Sequence, residues 1–218
     1  MSPPGSLFDE PDDRRIYGVV LAGVTNHQDP EGLGRVKLRY PWLSDEVESG
    51  WARVATAMSG GGWGLFLLPE VGDEVLVLFE RGDMNYPFVV GSLWHAEARP
   101  PADNGDGKNA VRLLRSRSGH LVQLDDSDGS EKILIRDRSG KNEIVIDTAS
   151  NTIAIRSDQD LRLEAKGKIA LVAGGAIELE GASLAVEVKE SASLRAQIEV
   201  GIEGPAGVKL NRDGLVVR

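Results

Sequence analysis

The second half of the chain repeats a short unit in which two apolar residues flank a single residue of any kind. The units are Ile133 and Ile135, Ile144 and Ile146, Ile153 and Ile155, Leu161 and Leu163, Ile169 and Leu171, and Ile177 and Leu179, with starts 11, 9, 8, 8 and 8 residues apart. Such a unit is typical of a short β-strand with one buried face. Strands this short bury little alone, so the repeat predicts a β-solenoid, stacked on itself or on another chain.

Residues 182–200 are the least regular part of the repeat. Their Ala, Glu and Leu content would also permit a helix. The units Leu184–Val186 and Ile198–Val200 nevertheless keep the pattern, and Val208–Leu210 and Leu215–Val217 continue it to the end. We therefore predict one β-helical domain over residues 111–218.

The first half of the chain has a different pattern. Alternating apolar and polar residues, interrupted by Gly, Pro and Asp, predict five strands at residues 17–24, 34–40, 51–56, 74–80 and 88–93. Five short strands in about 80 residues, without a helix, predict a small closed barrel such as an OB-fold over residues 15–97. Residues 1–14 are predicted to be a flexible tail, and residues 98–110 a linker rich in Pro, Gly and Asp.

The charge distribution argues against a nucleic-acid partner. The 218-residue chain has a net charge of −9, with 9 basic and 17 acidic residues up to residue 109 and 16 and 17 after it. Binding to a phosphate backbone needs a basic face. The chain has no cysteine, no N-terminal signal pattern, and no apolar run near the ~20 residues of a membrane helix. These features predict a soluble chain synthesised in the cytoplasm.

No motif in the chain predicts catalysis or metal binding. His27, His95 and His120 are far apart in the sequence and lack the spacing of a metal site. Asp125–Asp128 resembles a calcium loop for only a few positions, so we interpret it as a hairpin turn. Gly60–Gly64 is rich in glycine but lacks the Lys-Ser/Thr of a phosphate loop. We therefore expect no catalytic, cofactor or metal site, and a protein that is not an enzyme.

The four tryptophans all lie in the predicted barrel: Trp42, Trp51, Trp63 and Trp94. They would suit base stacking in an OB-fold that binds nucleic acid. Given the acidic charge, we favour a role in the barrel core and in a buried interface.

Several motifs occur in an order that resembles one protein family. They are Asp29–Val36 (DPEGLGRV), Tyr40–Trp42 (YPW), Trp51–Ala55 (WARVA), Gly62–Gly64 (GWG), Leu68–Val77 (LPEVGDEVLV), Gly82–Asp83, Pro87–Gly91 (PFVVG), Pro100–Pro101 and Arg117–Asp126 (RSGHLVQLDD). The series is similar to the OB domain and following β-helix of phage baseplate assembly protein V and of VgrG-type central spike proteins. The similarity covers roughly residues 17–180.

The resemblance implies an all-β homotrimer with a structural role. Three OB-folds would form a collar, and three C-terminal segments would wind into one triangular, intertwined β-helix, here called the needle. The twelve apolar residues of the six units given above would form the trimer core. The chain would be the central spike in the baseplate of a contractile injection system, such as a phage tail-like particle. It would pierce the target envelope on sheath contraction and contact the target membrane only transiently.

The resemblance also implies two further protein partners. The chain lacks the hub region that precedes the OB-fold in VgrG proteins and the His-x-His iron-binding apex of short phage spikes. We therefore expect a separate hub protein at the OB-fold end, next to Gly60, Gly61, Gly62 and Trp63. At the other end we expect a PAAR-type tip protein, bound by Leu215, Val216, Val217 and Arg218.

Two other interpretations remain open from the sequence. One is an OB-fold that binds an oligonucleotide or a glycan and carries an attached β-solenoid. The other is a solitary β-helical enzyme acting on carbohydrate. Both could be monomers, whereas the spike requires three chains.

Overall fold

The computed structural model describes residues 15–43 and 47–203, and β-strands are the dominant regular element within them. The strands are β1 Val20–Asn26, β2 Lys37–Arg39, β3 Arg53–Val54, β4 Ser59–Gly60, β5 Trp63–Gly64, β6 Glu74–Phe79, β7 Pro87–Ser92, β8 Val111–Arg115, β9 Leu121–Asp125, β10 Lys132–Arg136, β11 Glu143–Asp147 and β12 Thr152–Arg156. A single 3₁₀ turn, Glu80–Gly82, is the only helical element in these ranges. The prediction of an all-β fold is confirmed for these residues, whereas the predicted C-terminal β-helix stays a prediction. The predicted tail, residues 1–14, lies outside the described residues.

The first sheet is a five-stranded half-barrel with the strand order β2-β1-β6-β7-β3. Strand β3 runs parallel to β7, and the other neighbours are antiparallel. Its two edges meet where Val36 and Ala52 exchange backbone hydrogen bonds of 3.0 and 2.8 Å. This single bridge joins the two edges at one point, and the arrangement is consistent with an OB domain.

Small aliphatic side chains fill the interior of this barrel. The fully enclosed ones include Val36, Leu38, Val75, Val77 and Val89, each at most 1% exposed. They occupy alternate positions on their strands, as the sequence pattern predicted. Tyr40 and Phe79 complete the core, with ring centroids 5.8 Å apart.

The tryptophans do not belong to this core, and that part of the prediction is wrong. Trp42, Trp63 and Trp94 are 48%, 62% and 70% exposed, and Trp51 is half-buried beside Arg35 and Lys37. A five-stranded barrel has a narrow interior, which valine and leucine already fill. The tryptophans are therefore left for loops and surfaces.

A carboxylate clamp holds the loop between β1 and β2. Asp29 accepts hydrogen bonds from Arg35 Nη2 at 2.7 Å and Nε at 2.9 Å, and from the backbone N–H groups of Glu31, Leu33 and Arg35. Its side chain is only 3% exposed. The Arg35 guanidinium, followed by the backbone donors, holds the pKa of Asp29 well below its usual range. The clamp fixes the loop that presents Leu33 to solvent.

The second sheet is an antiparallel meander in which β8 to β12 pair in chain order. The turns at Gly119, Gly129, Gly140 and Asn151 each use a positive φ, between 55° and 101°. The hairpin turn predicted at Asp125–Asp128 is confirmed, since it joins β9 to β10. Each strand of this sheet pairs with its neighbours in the same chain.

Residues 157–203, here called the octad segment, contain no strand and no helix. The backbone bends at residues 158–159, 166–167, 174–175, 181–182, 189–190 and 197–198, almost every eight residues. The strands predicted for this segment are therefore absent from its described residues. The helix that the composition of residues 182–200 would permit is absent as well.

No helix within the described ranges is both long and apolar enough to cross a membrane.

The clamp generates the first prediction, for the variant Asp29→Asn. An amide cannot accept the same set of charged and backbone donors, so we expect a lower thermal midpoint for the barrel. The matched control is Glu31→Gln, because Glu31 also pairs with Arg35 but is 66% exposed; its midpoint should barely change. Circular dichroism melts measure both. Equal losses in the two variants would contradict the clamp.

The stabilisation that is lost in Asp29→Asn should depend on pH. The pKa of Asp29 is lower in the folded protein than its ordinary value of 3.8. Its contribution is therefore complete above pH 3.8 and is lost as the pH falls toward the folded-state pKa. The difference in melting midpoint between wild type and Asp29→Asn should be constant near neutral pH and should shrink below about pH 4.

Candidate functional site

The second sheet is a single layer whose two faces differ in chemistry. In each five-residue strand the second and fourth side chains point to one face, and the first, third and fifth to the other. Because the strands pair in a continuous register, these side chains form rows across the sheet. One face therefore carries two rows and the other carries three.

The two-row face, here called the isoleucine face, is almost wholly aliphatic. Its rows contain Leu124, Ile133, Ile146 and Ile153, and Leu114, Val122, Ile135, Ile144 and Ile155. These nine side chains are 39–71% exposed. Together they present on the order of 700 Å² of apolar surface, above the roughly 300–600 Å² of the largest patch on a typical monomer.

The three-row face carries all the charged side chains of the sheet except Arg112. Glu143 accepts hydrogen bonds from Arg156 at 2.6 Å and from Arg136 at 3.0 Å, and Lys132 lies 3.7 Å from Asp125. The Arg156 guanidinium, followed by that of Arg136, holds the pKa of Glu143 below its usual range. Charged groups keep their hydration most cheaply at a water-facing surface. We therefore expect the isoleucine face, rather than the charged face, to be the one that another chain covers.

The octad segment carries the same apolar pattern without forming a sheet. All of its residues are exposed. The predicted core residues within it are 53–72% exposed: Leu161, Leu163, Ile169, Leu171, Ile177 and Leu179. The backbone groups that follow Asp160 in this segment have no hydrogen-bond partner among the described residues and are left to water, and the apolar side chains are uncovered.

The structure brings half of the predicted core residues together. Ile133, Ile135, Ile144, Ile146, Ile153 and Ile155 all lie on the isoleucine face. Their contact with other chains stays a prediction, as does that of the six residues in the octad segment. The predicted tip-binding residues, Leu215, Val216, Val217 and Arg218, lie outside the described residues.

Sequence analysis missed three residues of the isoleucine face. Val122 and Leu124 flank one residue, and Val122 lies 11 residues before Ile133, the same step that separates Ile133 from Ile144. The signal was therefore present and would have extended the repeat by one unit. Leu114 was harder to find, because the other residue that β8 places on the isoleucine face is Arg112 rather than an apolar residue.

The residues predicted to face a hub lie in the β4–β5 hairpin, at a rim of the barrel. Gly60 pairs with Trp63 across this hairpin, and the indole lies so close that a Cβ at Gly60 would clash with it. A cleft of about 530 Å³ separates the hairpin from the loop around Leu33. Its lining is mainly glycine and apolar side chains, which suit protein contact more than chemistry.

The described part of the chain offers no arrangement for metal binding. No three His, Cys, Asp or Glu side chains come close enough together there to hold an ion. His95 accepts a hydrogen bond from the backbone N–H of Glu97 at 3.3 Å, a local turn contact.

Comparison with known proteins identifies the first sheet. Residues 20–94 match the family described as "Type VI secretion system/phage-baseplate injector OB domain". The chain is similar to type VI secretion system spike protein VgrG3 of Vibrio cholerae, with 30% identity over 162 residues, which are 69% of this chain and 16% of the relative. It is also similar to spike protein VgrG4b of Pseudomonas aeruginosa, with 32% identity over 142 residues, or 61% and 17%.

A third relative is named as a toxin rather than as a spike protein. It is the actin cross-linking toxin VgrG1 of Vibrio cholerae, with 26% identity over 198 residues, which are 82% of this chain and 17% of the relative. The chain thus spans about a sixth of the length of the curated relatives described here. These findings confirm the resemblance to baseplate assembly protein V and VgrG-type spike proteins.

The isoleucine face generates the second prediction, for the matched variants Ile153→Lys and Thr152→Lys. The two residues are neighbours on β12, point to opposite faces, and are both exposed in the single chain. If only the isoleucine face is buried in the native protein, Ile153→Lys should dissociate the oligomer, because burying the new charge without a partner is costly. Thr152→Lys should leave it intact.

Sedimentation velocity distinguishes the two variants directly. Equal sedimentation coefficients for Ile153→Lys, Thr152→Lys and wild type would mean that neither face of the sheet is buried by another chain.

Proposed function

Residues 20–94 belong to the injector OB domain family of type VI secretion systems and phage baseplates, and from this premise we propose that the chain is the structural central spike of a contractile injection system. Three copies form it, with an OB collar at one end and a needle of β-structure at the other. The needle is pushed through the target envelope when the sheath contracts. The chain acts through its shape and assembly, with no enzymatic step.

The observation that carries this proposal is the uncovered isoleucine face together with the regular bends that follow it. Two copies packed face to face would cover their isoleucine faces, but the octad segments would still lack backbone partners. Three copies satisfy both needs. Their three sheets form the sides of a prism with the isoleucine faces inward, and their octad segments continue the same three sides.

The needle then has two parts with different connectivity. In the base, residues 111–156, turns of four to six residues reverse the chain, so each side of the prism is one chain's own meander. In the octad segment the chain bends without forming hairpins. Each stretch between bends therefore passes to the next side of the prism and pairs with the other two chains. The base is built within chains, and the distal part is interlaced between them.

This arrangement suits a part that is loaded along its axis. Strands stack at ~4.8 Å, so the five strands of the base and the six bends of the octad segment give a needle of about 50 Å. Hydrogen bonds between stacked strands run along the axis and share the load. Interlaced chains cannot separate one by one, which makes unfolding slow.

The location and partners follow from the same role. The chain is synthesised in the cytoplasm and assembled into the baseplate of a phage tail-like or secretion particle, where a hub protein adjoins the collar. The tip protein at Leu215–Arg218 stays a prediction drawn from the resemblance alone.

The change of connectivity generates the third prediction, which uses engineered cysteines in a chain that has none of its own. With one side of the prism per eight residues, residue 162 of one chain lies beside residue 170 of a neighbouring chain. Parallel strands at ~4.8 Å place Cα atoms within the range of a disulfide. Oxidised Arg162→Cys/Ala170→Cys should therefore run as a covalent trimer on a denaturing gel without reductant.

Two control proteins make the gel informative. Arg162→Cys alone should stay monomeric on the gel, because its three copies lie on different sides of the prism. Gln123→Cys/Leu134→Cys joins residues that pair within one chain, so it should give only an intrachain disulfide. A monomer band from the 162/170 protein under the same oxidation would refute the interlaced needle.

A further inference from the structure

The barrel displays a second group of uncovered apolar side chains, separate from the isoleucine face. We call it the Phe66 patch. Its members share one rim of the barrel and are 47–76% exposed: Leu33, Met58, Trp63, Leu65, Phe66 and Leu67. They lie on both sides of the cleft between the β1–β2 loop and the β4–β5 hairpin.

Local structure holds these side chains outward. The Leu65 N–H donates to the Met58 carbonyl at 2.9 Å, and the Thr56 hydroxyl donates to the Leu65 carbonyl at 2.7 Å. Gly34 has a φ of +70°, and a Cβ there would lie 3.4 Å from the Phe66 ring. The Asp29 clamp fixes the loop that carries Leu33. The patch is therefore a defined surface, built by specific backbone hydrogen bonds and close packing.

Strand directions show at which end of the barrel the patch lies. Strand β6 begins at Glu74, close to the loop containing Glu70, and ends at the Glu80–Gly82 turn. Strand β3 runs parallel to β7 toward the Glu74 end, and the β4–β5 hairpin follows it there. Glu70 also accepts a hydrogen bond from Arg117 at 2.9 Å, in the β8–β9 turn of the second sheet. The patch thus lies at the end of the barrel that contacts the second sheet.

The opposite end of the barrel contacts residues 15 and 16. The Ile16 N–H donates to the Gly82 carbonyl at 2.9 Å, next to the 3₁₀ turn. Tyr86 lies at this end and is 60% exposed. The two ends therefore differ: one adjoins the base of the proposed needle, and the other adjoins residues 15 and 16.

Charge indicates what covers the patch. Residues 56–69 contain no charged side chain, although each chain carries a net charge of −9. Copies of an acidic protein associate most easily through surfaces without like charge. The patch also adjoins the sheet whose isoleucine face needs other copies, so the same neighbours are within reach. A stable interface buries about 800 Å² per partner, and six apolar side chains this exposed supply a large part of that area.

We propose that a neighbouring copy of this chain covers the Phe66 patch, making it a second interface of the trimer at the junction of collar and needle. This proposal rests on the proposed trimeric spike and revises one expectation from the sequence. Trp63 and the glycines of the β4–β5 hairpin would face another copy, and a hub would meet the end of the barrel near Tyr86.

A photo-crosslinking experiment on the purified full-length chain, with no hub protein present, tests the proposal. The photoreactive residue p-benzoylphenylalanine replaces Phe66 in one protein and Tyr86 in a matched control. Both sites are exposed aromatics in the single chain, at opposite ends of one barrel. After irradiation, the position-66 protein should shift to covalent dimers and trimers on a denaturing gel, and the position-86 protein should stay at the monomer band.

The native mass of the same samples separates the possible failures. If both proteins are trimers and position 66 gives no product between copies, the patch is not a subunit interface, and the trimeric spike stands. A patch that binds a hub and no other copy would also give no product between copies at position 66. If both proteins are folded monomers, the proposed spike itself is wrong, and this interface with it.

Discussion

A sheet one layer thick with nine uncovered aliphatic side chains is the constraint on which the rest of the molecule depends. At ~25 cal/mol per Å², covering on the order of 700 Å² of this face corresponds to about 18 kcal/mol per chain before the costs of association. That is as large as the whole unfolding free energy of a typical domain, about 5–15 kcal/mol. In the proposed spike the second sheet therefore gains much of its stability from association, and the shape of the assembly follows from how the isoleucine face is covered.

The barrel differs from the second sheet, because it buries its core within one chain. Its edges meet through Val36 and Ala52, and its core is enclosed within one chain. In the proposed spike the barrel therefore folds within one chain, whereas formation of the needle depends on chain concentration. The charge distribution is consistent with this difference between the two halves of the chain. Residues 110–218 have 16 basic and 17 acidic residues, and most of the net charge lies in the first half. Three copies of the proposed needle would therefore meet with little net repulsion.

Sequence reasoning succeeded where the information was local. The five barrel strands and the units at Ile133, Ile144 and Ile153 were predicted because alternation between faces is visible within a few residues. It failed where the partner lies elsewhere. The exposure of Trp42, Trp63 and Trp94 depends on which side chains already fill the barrel. Likewise, the spacing of the units indicates that residues 161–179 need partners, but it does not say which chain supplies them.

The place of the β4–β5 hairpin shows the same limit for the candidate site. Its glycines and Trp63 were recognisable as an unusual loop, and its position near the barrel was predicted. The hairpin lies at one particular end of the barrel, and that end follows only from the parallel pairing of β3 with β7 and from the contact between Glu70 and Arg117. Both are contacts between distant parts of the sequence, which no local pattern encodes.

The most direct test of a three-chain spike is the native mass of the purified protein. Multi-angle light scattering on the wild-type chain should give three times the 23.4 kDa of one chain. The value should hold on dilution, because interlaced chains separate slowly. A folded, stable species of 23.4 kDa would contradict the claim that other copies cover the isoleucine face.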